Sequence, residues 1–172
     1  MEDAERLFRS YHEMLVRYLT RRLGDRDWAE EVAQETFVRA LRQERLTNER
    51  AWLFTVANNL VRDEARKDAR RRHRLALLRE ETRDAVVEPE PTSLERSQDA
   101  AMARTAVNAL AERDRLALLM REEGVKYEEI AQALHPSVGS VGTTLARARR
   151  RLVEQYESLR DAQRGREGHA AS

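Results

Sequence analysis

Leu7, Phe8, Tyr11, Met14, Leu15, Tyr18 and Leu19 recur at intervals of one, three and four, with charged residues on the opposite face. That spacing predicts an amphipathic helix, and Gly24 supplies a natural C-cap. A second helix is predicted from Asp27, with Glu30 three residues on as in a capping box. Its apolar face is Ala29, Val32, Ala33, Thr36, Phe37, Ala40 and Leu41; its polar face is Glu30, Glu31, Gln34, Glu35 and Val38. Thr47 or Asn48 can cap a third helix. This one turns Leu53, Val56, Ala57, Leu60 and Val61 inward and runs on into basic sequence around Arg70.

The periodicity dissolves between about Asp84 and Gln98. Val86–Ser93 holds two of the three prolines and has no helical period, which marks a linker. Thr92 or Ser93 can cap a helix over roughly 94–110. A further helix over 112–122 has Leu116, Leu119 and Met120 as its apolar positions and Gly124 as its C-cap. A short helix follows over 127–134, is broken at His135-Pro136, and gives way to a last helix capped by Ser137. The inner face expected for that helix is Val138, Val141, Leu145, Ala148 and Leu152. The polar end, 158–172, is expected to be disordered. The fold class is therefore all-α: two small helical domains, 1–75 and 99–157, joined by a flexible acidic linker, 76–98, with a helix-turn-helix in the second.

Composition supports helices: six Gly and three Pro in 172 residues, with 37% charged. The net charge of +1 conceals local basic runs. Seven Lys or Arg face three acids between Arg62 and Arg74, and Arg147, Arg149, Arg150 and Arg151 occur without an acid. Such runs suit a polyanion met at defined places, the alternative being solvated helix faces. The absence of cysteine excludes disulfides, thiolate metal sites and a Cys nucleophile, and it fits a reducing compartment. The acidic N-terminus is not followed by an apolar signal stretch, and no apolar run approaches the roughly 20 residues that span a bilayer. A soluble, intracellular protein without membrane insertion is expected. There is no Gly-rich phosphate loop, no nucleophile setting and no metal-ligand cluster, and the four His are scattered. No enzymatic activity, cofactor, metal or small-molecule substrate is expected.

Two segments carry the candidate chemistry. Residues 127–152 have the outline of a helix-turn-helix, in which a second helix presents its first residues to base edges. Ser137, Ser140, Thr143 and Thr144 would face the groove, and Arg147, Arg149, Arg150 and Arg151 would reach phosphates. Ser and Thr are weaker base readers than Arg or Asn, so modest sequence preference is expected. The other segment, Trp52 to Arg72, sets aromatics and amides beside a basic stripe. That combination suits single-stranded or melting DNA: rings stack on bases, amides read edges, cations neutralise phosphates. A packed core with a solvated extension is the alternative, especially for Leu53 and Leu60.

Three stretches, taken in order, resemble the extracytoplasmic-function group of bacterial RNA polymerase sigma factors. Ala29-Glu30-Glu31-Val32-Ala33-Gln34-Glu35-Thr36-Phe37-Val38-Arg39-Ala40 resembles the helix that binds core polymerase. Trp52-Leu53-Phe54-Thr55-Val56-Ala57-Asn58-Asn59-Leu60-Val61-Arg62-Asp63 resembles the segment that melts and reads the −10 element. Leu110-Ala111-Glu112-Arg113, Tyr127-Glu128-Glu129-Ile130-Ala131 and Ala146-Arg147-Ala148-Arg149 resemble the −35-reading domain. The resemblance covers about residues 5–75 and 95–155.

The resemblance implies a cytoplasmic transcription initiation factor whose partners are core RNA polymerase, promoter DNA and an anti-sigma factor. Glu31, Gln34, Glu35, Val38 and Arg39 would dock the clamp helices of the large subunit, whose flap is a further contact. Trp52, Asn58, Asn59, Asp63 and Arg66 would lie at the −10 element, with Arg62, Lys67, Arg70 and Arg71 on its backbone. The linker would thread towards the active-site channel and RNA exit path. Ser137, Ser140, Thr143, Thr144, Arg147, Arg149 and Arg150 would meet the −35 element. Departures fall in the second domain: Lys126 stands at a usual helix-cap position, His135-Pro136 at a usual Gly turn, and Gly142 and Thr144 where a Lys and an Arg are usual. The family's contacts at those last two positions do not transfer. The rival expectation is a stand-alone helix-turn-helix regulator with an N-terminal dimerisation or sensor half; a second rival is a helical adaptor.

Overall fold

A computed structural model describes residues 2–76 and 94–170. Among the described residues there are seven helices: α1 Glu2–Leu23, α2 Arg26–Leu41, α3 Glu49–Ala76, α4 Leu94–Asn108, α5 Glu112–Glu122, α6 Tyr127–Leu134 and α7 Val138–Ala170. The expected caps Thr92 and Ser93, and most of the linker, lie outside the described residues. The last part of the expected linker is already helical, because α4 begins at Leu94.

The local signals act as chemistry dictates, with one displacement. Gly24 takes the left-handed conformation that closes α1 and donates its N–H to the Thr20 carbonyl at 2.8 Å. The start of α2 lies two residues before the expected position. Asp25, extended immediately after Gly24, accepts from the Trp28 N–H at 3.1 Å, so the cap is Asp25 and Asp27 sits in the first turn. In the second half, Gly124 takes the same left-handed role after α5.

In the first half, α1, α2 and α3 enclose Leu15, Tyr18, Leu19, Val32, Ala33, Phe37, Leu53, Phe54, Ala57 and Val61. The rings of Tyr18 and Phe54 meet edge to face, 4.8 Å between centroids. Two positions of the expected apolar stripes lie at the rim instead. Phe8 is exposed and stacks on His12, and Leu41 is exposed in the last turn of α2. In the second half, Leu116, Met120, Val125, Ile130, Val141 and Leu145 are buried, and they join the first half in one continuous core. Leu110, Leu118 and Ala148, with Leu152 against them, form a separate cluster.

The segment expected to be a disordered tail continues α7 as helix to Ala170. The α4 helix packs along it. Tyr156 donates to Asp99 at 3.4 Å and Gln163 to Gln98 at 3.1 Å.

The two halves meet along an ionic seam. The Arg50 guanidinium forks onto the Glu129 carboxylate, with Nε at 3.0 Å from both oxygens and Nη2 at 2.7 Å from one. Arg17 and Arg21 converge on Glu123 at 3.1 and 3.4 Å. Arg22 reaches Glu112 at 3.2 Å. Asn48 donates to Gln132 at 3.2 Å. Glu129 also accepts from the Lys126 N–H at 3.1 Å, the half of a capping box that needs no acceptor on the Lys126 side chain. Burial pushes the Glu129 carboxyl up, but the hydrogen bonds from Arg50 and from the Lys126 N–H outweigh this and hold it below the usual range.

Arg50→Glu places two carboxylates together at the seam and leaves the α6 cap intact. It is expected to separate the halves and cost about 1–3 kcal/mol, between the exposed and buried limits for an ion pair. Small-angle X-ray scattering should show a larger radius of gyration, with Arg50→Lys lying between the two.

Candidate nucleic-acid interface

Helix register sorts the α3 residues. Asn59, Arg62, Asp63, Arg66, Lys67 and Arg70 are all exposed and fall on one stripe, each three or four residues from another. Arg71 is also on α3, but its side chain lies outside the described ones. Trp52 begins the same stripe half-buried, packed against the core.

Asn58 departs from expectation. It is 2% exposed, on the inner face with Phe54, Ala57 and Val61. Its Oδ1 accepts from the Tyr18 hydroxyl at 2.7 Å and from Arg22 at 2.8 Å, while its Nδ2 has no partner among the described residues. Asn58 is thus a core polar residue that fixes Arg22 and is not on the exposed stripe of α3. The Arg22 side chain is itself 4% exposed, and burial holds its pKa below the ordinary arginine value. Burial likewise pushes the Tyr18 phenol up to about 12, so it stays a neutral donor. Sequence reasoning missed this trio, because Tyr18 and Arg22 precede Asn58 by 40 and 36 residues.

The outer face of α2 presents Glu31, Gln34, Glu35, Val38 and Arg39, all exposed. Glu35 accepts from Arg39 at 2.8 Å along the helix. The Trp28 indole donates to Glu64, tying α2 to α3. A surface groove lined by Trp28, Glu31, Glu64, Lys67 and Asp68 joins the α2 face to the α3 stripe.

In the second half, α6 and α7 are linked through His135, whose φ of 62° and ψ of 18° are left-handed. The departure from a Gly turn is thereby accommodated by a residue type that tolerates that region better than most. Ser137 and Ser140 are exposed and their hydroxyls bond each other at 2.5 Å. Thr143, Arg149 and Arg150 are exposed as well.

Three expectations for α7 are corrected. Thr144 is 6% exposed, because it shares the inner stripe with Val141, Leu145 and Ala148. Val138, expected inside, lies outside at the first turn. Arg147 is committed to Asp114: its Nε donates at 3.0 Å and its Nη2 also donates, a bidentate pair with an almost wholly buried carboxylate. Arg151 stands 4.0 Å from the same carboxylate. Asp114 gave no signal in the sequence, because its partner is 33 residues away. Gly142 faces the Tyr127 ring, where an added Cβ would stand 3.7 Å from Cε2, an ordinary contact.

Among the described residues no group of three His, Cys, Asp or Glu could hold a metal ion, and no helix is long and apolar enough to cross a membrane.

Comparison with known proteins assigns the two halves. Sigma-70 region 2 matches residues 7–71, and Sigma-70, region 4 matches residues 100–152. The chain is 30% identical over 150 residues to the ferric citrate uptake sigma factor FecI of Escherichia coli (strain K12), covering 84% of this chain and 85% of that protein. The chain belongs to the ECF RNA polymerase sigma factors. It is also 29% identical over 168 residues to the RNA polymerase sigma factor YlaC of Bacillus subtilis (strain 168), covering 95% and 97%. Identity to the ECF RNA polymerase sigma factor BldN of Streptomyces coelicolor is 32% over 156 residues, 86% of this chain but 58% of that protein. Among solved structures, the sigma factor RpoE in complex with the anti-sigma factor NepR from Bartonella quintana shares the fold. Its TM-score is 0.69 at 23% identity, over 91% of this chain and 98% of that one. The match over 7–71 assigns the N-terminal half of this sigma factor to region 2, in place of a dimerisation or sensor module.

Two substitutions test the region 4 half. The hydrogen bonds from Arg147 hold the Asp114 carboxyl below its ordinary 3.8. A lowered folded-state pKa contributes stability that is complete above 3.8 and disappears as pH falls through the folded value. Denaturant titrations from about pH 6 down to about 2.5 should therefore show a loss below about pH 4 that Asp114→Asn diminishes. Gly142→Ala should stabilise the domain by about 1 kcal/mol, read as a raised melting temperature.

Proposed function

We propose that this sigma factor docks core RNA polymerase through the α2 face and reads the −10 element with the exposed stripe of α3. It presents α7 to the −35 element and directs polymerase to promoters without catalysis of its own. The observation that carries this is the division of surfaces. An acidic-polar helix face and a basic stripe lie on the region 2 half, while a neutral helix-turn-helix tip flanked by Arg149 and Arg150 lies on the region 4 half. Glu31, Gln34, Glu35, Val38 and Arg39 meet the clamp helices. Asn59, Asp63 and Arg66 serve an unpaired −10 strand, with Trp52 at the end of their stripe, and Arg62, Lys67, Arg70 and Arg71 hold its backbone. Ser137, Ser140 and Thr143 face the −35 groove. The polymerase flap and the RNA exit path are where the second half and the linker engage. The site of action is the cytoplasm, where promoter and polymerase are found.

The seam bears on this function. The names of the two promoter elements place them about 25 base pairs apart, roughly 85 Å at about 3.4 Å per pair. Domains that share one core do not reach both at once, so engagement of both elements requires the halves to separate. Charge pairs with partly exposed members suit such a step, because salt and a competing polyanion weaken them. The fold-sharing RpoE was solved with an anti-sigma factor, and an anti-sigma factor is proposed as a partner of this chain too.

Purified protein mixed with bacterial core polymerase and a promoter library is expected to give run-off transcripts from a discrete promoter set. Glu35→Arg should weaken core binding at least about tenfold while leaving thermal unfolding unchanged, because Glu35 is exposed and pairs with Arg39 along its own helix. Core binding unaltered in that variant would overturn the α2 assignment.

A further inference from the structure

The start of α7 is restricted in how it can read a base pair. Register turns Val141, Thr144, Leu145 and Ala148 inward and leaves Ser137, Val138, Gly139, Ser140 and Thr143 exposed. Between Ser137 and Ala146 there is no Arg, Lys, Asn, Gln, Asp or Glu. Those are the side chains that bond guanine, adenine or cytosine edges most selectively. The next cation along, Arg147, is engaged by Asp114. The hydroxyls of Ser137 and Ser140 are turned to each other.

Besides Thr143, a turn further along, what the tip offers is an isopropyl group. Val138 is 49% exposed in the first turn of the recognition helix, and it belongs to neither core cluster. Beside it, Gly139 leaves open space, since a Cβ there would meet nothing within 4 Å among the described residues. The protein's own packing thus requires neither the apolar group at 138 nor the bare backbone at 139. Both make sense against a surface that approaches closely and carries an apolar group. In the major groove thymine alone among the four bases presents a methyl, at C5.

We propose that Val138 is a specificity-determining residue of this sigma factor, reading a thymine methyl in the −35 element while Gly139 lets the helix sit close. The proposal rests on the assignment of α7 to that element. Arg149 and Arg150 position the helix on phosphates and carry no sequence information themselves. Sequence preference then comes from methyl contact and not from bidentate hydrogen bonding, so each correct pair contributes modestly.

Deoxyuridine provides the test, because it removes only the methyl and keeps base pairing and the remaining groove edge. The −35 element is first located by footprinting the reconstituted holoenzyme on a promoter from the transcribed set. Each thymine of that element is then replaced singly by deoxyuridine, and holoenzyme affinity is measured for the wild type and for Val138→Ala. One position is expected where deoxyuridine weakens wild-type binding about fourfold, the equivalent of one buried methyl. Val138→Ala should bind the thymine duplex correspondingly less tightly and no longer distinguish the two duplexes. Wild-type binding indifferent to deoxyuridine at every position, with the footprint intact, overturns the Val138 role and leaves the α7 assignment standing. So does a deoxyuridine effect that persists in Val138→Ala. No −35 footprint, with core binding and transcription retained, overturns both.

Discussion

The arrangement depends on how arginines of the first half are answered by carboxylates of the second. Arg50 forks onto Glu129, Arg17 and Arg21 share Glu123, and Arg22 spans from Asn58 to Glu112. Around these pairs the apolar cores fuse into one cluster. The planar guanidinium suits such a seam, since it makes two bonds to a carboxylate in a fixed geometry and remains charged when partly buried. A contact built from charge pairs with partly exposed members suits an association that must end before two distant DNA elements are engaged.

Outside the seam, function and packing divide the same helices by register. On α2 the inner stripe builds the core and the outer stripe stays polar. On α3, Asn58 and Asn59 are neighbours in sequence and opposites in role: one anchors Arg22, the other faces out beside Arg62 and Asp63. On α7 the half-exposed Arg147 forks onto the buried carboxylate of Asp114 and braces the recognition helix against α5. Two of its nitrogens are spent on that pair, and the residues before it at the tip carry no charge.

Much of the fold was legible in the sequence. Three- and four-residue apolar spacing defined α1, α2 and α3, and Gly24, Gly124 and His135-Pro136 marked breaks that the structure keeps. Local signals misplaced one boundary: the sequence pattern starts α2 from Asp27, and the extended backbone after Gly24 makes Asp25 the cap. Polar composition suggested disorder beyond residue 157, but α7 continues as helix there, and Gln163 meets Gln98 of α4. Val138 passed for a core residue because an apolar side chain at a helix start matches an inward pattern as well as an outward one.

By itself the sequence determined the all-α class, most of the helices and their polar and basic faces, because periodicity and charge are properties of neighbouring residues. Tertiary structure alone decided which of those residues are free to act. Asn58, Thr144 and Arg147 carry groups suited to DNA, but Tyr18, Arg22, the inner stripe of α7 and Asp114 claim them. Those partners lie tens of residues away along the chain or on the far side of a helical turn. A buried polar group must find a partner within hydrogen-bonding distance, and which one it finds is set by how the helices pack.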